Sequence, residues 1–178
     1  MLLHDRRLRG TPPSIAQNTY QVDANTPTIG MVRWVGTYAQ RQNGLDELIV
    51  MCHGYHTGVT FDGLQLSEND ITLANMVLTA EWNPHIAKII LFACGAANPG
   101  IKGPARSGQV FCRTLAQITG ATVFASDENQ RYRGWNVLRE FLDWEGTISF
   151  GAWEGQVYRF LPNGTVSPYE FPDHPATR

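Results

Sequence analysis

LDELIVMCHG, residues 45–54, climbs from two acidic residues into an unbroken apolar run and stops on a cysteine, a histidine and a glycine. Apolar side chains at every position, rather than at every second one, mark a strand covered on both faces, as in a parallel sheet between two layers. A second such run, AKIILFACG at 87–95, ends on Cys94 and Gly95, and a third, ATVFASD at 121–127, ends on Asp127. Between the first two, GVTFDGLQL reads as a hairpin. Ser67 then offers an N-cap, and Asp70 a first-turn acid, for a helix through DITLANMVLTAEW that stops before Pro84. Between the second and third, Ser107 can cap GQVFCRTLAQIT, where Val110, Phe111, Leu115 and Ile118 share one face and Gly120 ends the helix. Strands alternating with helices predict an α/β fold, a mostly parallel sheet sandwiched by helices, because parallel strands need crossover connections.

Outward from this centre the pattern loosens. IGMVRWVG at 29–36, β-branched and aromatic and bounded by glycines, reads as a strand; WNVLREFLDW reads as a helix. TISFGAW and QVYRFLPNGTVSPYEF read as a β tail, with a C-terminal β hairpin turning at Pro-Asn-Gly. Residues 1–28 contain TPP and NTPT and no periodic apolar pattern, so they are expected to form an irregular, solvated arm that lies over the surface and can occupy a cleft as an inhibitory segment. The expected organisation is that arm, one α/β domain over 29–172 and a tail at 173–178; 178 residues suffice for one buried core.

Charge narrows the function. With 14 Lys and Arg against 16 Asp and Glu, no global field favours nucleic acid or an acidic membrane. No stretch approaches the roughly 20 apolar residues that span a bilayer, and the basic start has no continuous apolar core of a signal peptide, so a soluble protein is expected. The three cysteines, Cys52, Cys94 and Cys112, cannot all pair within one chain and match no zinc spacing. They point to a reducing, cytoplasmic setting, with delivery into another cell left open. Cys52, His53 and His56 cluster in CHGYH, but alternate side chains of a strand share a face and no second ligand group appears, so neither a metal nor a cofactor is expected.

In open α/β sheets the ligand site lies beyond the carboxyl ends of the strands. His53 and Cys94 each stand at such an end and each is followed by glycine. A thiol, an imidazole and accessible backbone amides are the parts of an acyl-transfer site: nucleophile, proton carrier and oxyanion hole. Taken singly, each residue reads as structural, Cys94 as a small core hydrophobe. Their matching positions favour catalysis. Cys52 reads as core, Cys112 as inert and His56 as a hydrogen-bonded loop residue.

The two blocks LIVMCHG and IILFACG resemble the caspase-like superfamily of cysteine peptidases, clan CD, which includes caspases, gingipains, clostripain, separase and CHAT domains. The caspase signature Gln-Ala-Cys-x-Gly, with histidine about 50 residues upstream, appears here only as Phe-Ala-Cys-Gly-Ala at a shorter spacing. The chain is therefore more similar to the bacterial gingipain-like and CHAT-like members, across roughly residues 45 to 130. The resemblance implies a peptidase acting on a protein or peptide substrate. Cys94 would attack the scissile carbonyl, His53 would protonate the leaving amine, and the Gly54 and Cys94 N–H groups would hold the oxyanion. Asp127, with Glu128 beside it, would supply an acidic pocket for a basic residue before the cut; Arg131 and Arg133 could neutralise it or build a basic pocket instead. Two other readings stand beside this one: an α/β-hydrolase with a cysteine nucleophile, and a non-catalytic recognition module of the same fold. The first lacks the glycine two residues before the nucleophile that a sharp elbow needs, and has only His174 late in the chain.

Overall fold

The apolar run at 48–51 sits where both of its faces are covered. The computed structural model describes residues 1–57, 60–100, 107–130, 132–133, 148–150 and 153–170, with the backbone alone at 132–133 and 149–150. Its main sheet contains β1 (Leu2–Asp5), β2 (Thr19–Val22), β3 (Leu48–Met51), β7 (Lys88–Phe92), β8 (Thr122–Ser126), β11 (Val157–Phe160) and β12 (Val166–Pro168), in the order β12-β11-β8-β7-β3-β1-β2. From β2 to β8 every pairing is parallel, whereas β8, β11 and β12 pair antiparallel, the last two through a turn at Leu161–Thr165. Leu48 and Val50 join one core with Ile89, Leu91, Val123 and Ala125; Ile49 and Met51 join another with Ile90, Phe92 and Phe124.

Two α-helices, α1 (Thr28–Arg41) and α2 (Gly108–Thr119), cover the first face with Met31, Val35, Phe111 and Leu115. Ser107 caps α2, its Oγ accepting from the Val110 N–H at 3.2 Å, and Gly120 ends it at φ 68°. Among the described residues the opposite face is covered by Leu8, Ile15, Ile148, Trp153 and Tyr169 rather than by a helix. The helix expected over WNVLREFLDW and the tail at 173–178 lie outside the described residues. Among the described residues no helix is long and apolar enough to cross a membrane.

Three expectations are corrected. Residues 1–28 are not an irregular arm: β1 is wholly buried between β2 and β3, so the domain begins with the first strand and not at residue 29. Four residues are too few to show a period, and the charged Asp5 hides a core strand because its partner, Arg7, follows it inside. IGMVRWVG is helical. The buried set Met31, Val32, Val35, Gly36 and Ala39 repeats at helical spacing once the window extends to Arg41. Ser67 caps no helix: it sits at φ 66° with its N–H on the Asp5 carboxylate at 2.9 Å. The chain after it forms β6 (Ile71–Thr72) and a 3-10 helix, Met76–Trp82.

His4, buried in β1, donates its Nε2–H to the Leu8 carbonyl at 2.8 Å. Burial lowers its proton affinity, outweighing the Leu8 bond and the attraction of Asp5. A histidine whose folded pKa lies below the unfolded value of about 6.5 adds stability above that pH and loses it as pH falls further, by at most about 1.4 kcal/mol per unit. Urea unfolding of the wild type between pH 7 and 5 is expected to show this acid slope, and His4→Gln to flatten it. An equal slope in both proteins would assign the titration to other groups.

Candidate active site

All the parallel strands of the main sheet point their carboxyl ends to one edge, and the chemistry-bearing residues collect there. β3 and β7 are in-register neighbours, Met51 opposite Phe92, so the segments that follow them leave the sheet side by side. Cys52 still belongs to this ladder, its N–H donating to Phe92 at 3.3 Å. One residue later the chain turns into a second sheet of three antiparallel strands, β4 (His53–Thr57), β5 (Thr60–Gln65) and β6. His53 therefore opens β4 rather than closing β3.

Glycine is required at 54 by close approach. A Cβ there would lie 2.2 Å from the Cys94 carbonyl oxygen and 3.0 Å from the Phe61 ring. Two positions on, the His56 Nε2–H donates to the same carbonyl at 3.1 Å, its ring edge-on to Phe61. Gly54→Ala is expected to cost at least the roughly 1–3 kcal/mol of an overpacked site and to displace Cys94. Urea unfolding and the alkylation rate of Cys94 would check this. An alanine variant with wild-type stability and thiol reactivity would contradict the contact.

Cys94 is the partly exposed thiol of the three. Burial pushes the Cys52 and Cys112 thiols up, which keeps them protonated and unreactive near neutral pH. The Cys94 turn is tied to the strand beside it: Gly95 N–H donates to Glu128 at 3.0 Å, Ala97 N–H to Ser126 at 2.9 Å, and the Asn98 amide to the Asp127 carbonyl at 3.2 Å. Cys94 Sγ lies 4.0 Å from the Gln130 carbonyl. The Gly95 N–H is thus committed to the fold and is not open to a substrate oxygen.

His53 is held from the other side. Its Nε2 lies 3.2 Å from the backbone carbonyl of Arg7, just past the end of β1. A carbonyl only accepts, so Nε2 carries the hydrogen and Nδ1 is left as the basic nitrogen of the ring. The structure thus brings Gly54 and His56 against the Cys94 carbonyl, while the hydrogen bond of the His53 ring runs to Arg7.

The acidic pair at the end of β8 has other work. Asp127 Oδ1 accepts the Gln156 N–H at 2.9 Å and fastens β8 to the approach of β11; Glu128 is exposed and contributes its backbone carbonyl to Gly95. Arg131 lies outside the described residues, and only the backbone of Arg133, in a two-residue strand, is described. Carboxylates do stand near β4. Burial, with the charges of Asp70 and Asp62 behind it, raises the Tyr55 phenol, and Asp62 Oδ2 is buried with no partner among the described residues. Arg7, His56 and Asp62 are the site residues that spacing alone did not single out; the one signal for Arg7 was its acid–x–arginine pairing with Asp5, one residue beyond Leu2 and Leu3. Among the described residues no group of three or more His, Cys, Asp and Glu is placed to hold a metal ion.

The fold is that of an open-sheet α/β protein, with the candidate site at the carboxyl edge of its parallel strands. Residues 16–150, most of the chain, match the model of the family described as Domain of unknown function (DUF4347), and the chain belongs to that family. Searches of the curated proteins and of the solved structures return no match.

Proposed function

We propose that the chain is a cysteine endopeptidase of the caspase-like type. The observation that supports this reading is the packing of the backbone of Cys94, whose thiol is partly exposed, against Gly54 and His56 at the carboxyl edge of adjacent parallel strands. In the proposed reaction the Cys94 sulfur adds to the scissile carbonyl carbon, and His53 Nδ1 takes the thiol proton. The oxyanion is met by the N–H groups of Gly54 and Cys94. Collapse breaks the C–N bond, His53 returns the proton to the leaving amine, and a thioester on Cys94 remains. Water then hydrolyses the thioester and releases Cys94. The residue before the cut is a basic one in this reading. With Asp127 engaged by Gln156, its counter-charge comes from Asp62, whose inner oxygen is unpaired among the described residues. A reducing compartment suits the three free cysteines.

The test is intact-mass spectrometry after exposure to peptidyl acyloxymethyl ketones carrying Arg, Lys, Asp, Leu or Gly at the reactive position. The expected result is one adduct on Cys94, fastest with Arg or Lys. Labelling of Cys52 or Cys112, or no labelling of folded protein by any probe, would overturn the reading, and the latter would favour a non-catalytic recognition module.

A further inference from the structure

The carbonyl that holds His53 belongs to a residue whose side chain is itself fixed at several points. Arg7 Nε and Nη2 each reach a different oxygen of Asp5, both at 2.8 Å, forming a fork on a carboxylate that is 0% exposed. Nη2 also donates to the Ser67 carbonyl at 2.9 Å, Nη1 meets Asp70 at 3.1 Å, and the Arg7 backbone N–H returns to Asp5 Oδ1 at 2.9 Å. On the far side the Ser67 N–H donates to Asp5 Oδ2 at 2.9 Å. Ser67 and Asp70 both hold positive φ, 66° and 52°, a backbone conformation that non-glycine residues adopt only where the surroundings impose it.

These bonds have one geometric product. A half-buried guanidinium clamped by two carboxylates and a carbonyl leaves the Arg7 backbone little freedom, and that backbone ends in the carbonyl 3.2 Å from His53 Nε2. Arginine suits the place because its planar fork matches a carboxylate through two parallel bonds; a lysine ammonium keeps the charge but cannot meet both Asp5 oxygens and Ser67 together.

We infer that the Asp5–Arg7–Asp70 clamp is the positioning device of His53, holding its ring in the Nε2–H tautomer and coupling the turn at 67–70 to the candidate active site. Arg7 is thus a positioning residue that acts through its backbone. The inference rests on the peptidase reading for its effect on rate, but its effect on the ring does not. Loosening the clamp frees the Arg7 carbonyl, so His53 samples both tautomers and several orientations. A displacement of that order at a reacting group is worth about 100-fold in rate.

The experiment uses the full chain as wild type, Arg7→Lys and Asp70→Asn, with His53→Gln to assign the signal. Long-range nitrogen–proton correlation spectra read which ring nitrogen of His53 carries the hydrogen, and peptide hydrolysis is measured in parallel. The wild type should show Nε2–H, and the two variants a mixture. In the variants kcat should fall about 100-fold for Arg7→Lys and less for Asp70→Asn, with KM nearly unchanged. Asp70→Asn leaves the buried Asp5–Arg7 fork intact and carries the test should Arg7→Lys fail to fold. A mixture in the variants of a protein that hydrolyses nothing would support the clamp and sink the peptidase reading. Folded variants with wild-type His53 signals would overturn the clamp, whatever the activity.

Discussion

Removal of residues 1–28 is expected to leave a chain that does not fold. The deletion takes both β1 and β2 from the edge of the main sheet and strips the backbone pairing of Leu2, Leu3 and His4 from the β3 ladder. It also removes Leu2, Leu3, Leu8 and Val22, all buried in the two cores. At about 1.5–3 kcal/mol for each buried aliphatic side chain, that loss alone is comparable to the 5–15 kcal/mol by which a domain of this size is stable. The newly bared edge of β3, apolar on both faces, would be a template for aggregation. Circular dichroism, thermal unfolding and size-exclusion chromatography of the shortened chain would show it. A soluble shortened chain with cooperative unfolding would contradict the placement of β1. An arm lying in the cleft would instead have predicted a folded, more active enzyme.

The second large effect concerns the proposed dyad. In that reading Cys94→Ala removes the nucleophile, and residues that act as a unit lose on the order of 10⁴-fold or more in kcat when one member goes. His53→Ala removes the proposed proton carrier, worth about 10²–10⁴-fold. His56→Ala should cost far less, because its imidazole holds the Cys94 carbonyl rather than the thiol. Progress curves on a quenched peptide, with unfolding curves for each variant, would separate these effects. If His56→Ala were as damaging as Cys94→Ala while His53→Ala were harmless, the base would have to be moved to residue 56.

What could be read from the sequence follows from the physics of each segment. β3, β7 and β8 were legible because strands buried on both faces write themselves as continuous apolar runs, and α2 because Ser107 and Gly120 mark its ends. α1 reads as a strand over 29–36 since isoleucine, valine and tryptophan favour strands in so short a window; the helical period needs the residues to Arg41. β1 escaped because its recognition depends on pairing with strands distant in sequence. The site divides along the same line. His53 and Cys94 stand at strand ends, which local patterns reveal. Asp5 and Arg7 are local to each other, but both reach the turn at 67–70 across 60 or more residues, Arg7 to the Ser67 carbonyl and the Ser67 N–H to Asp5, which no local pattern encodes. Asp127 divides in the same way: its place at the end of a strand is local, whereas the bond from the Gln156 N–H to its Oδ1 joins residues 29 apart.

The central claim is that Cys94 carries an acyl group through the reaction. The most direct measurement mixes the protein with an equimolar peptidyl ester, quenches in acid within seconds and weighs the intact chain. The account predicts a mass gain equal to the acyl group, located on Cys94 by fragmentation and present in wild type and His56→Ala. The gain should be absent in Cys94→Ala and slow to form in His53→Ala. A gain that survives Cys94→Ala, or no gain in folded wild type while the ester is being turned over, would contradict it.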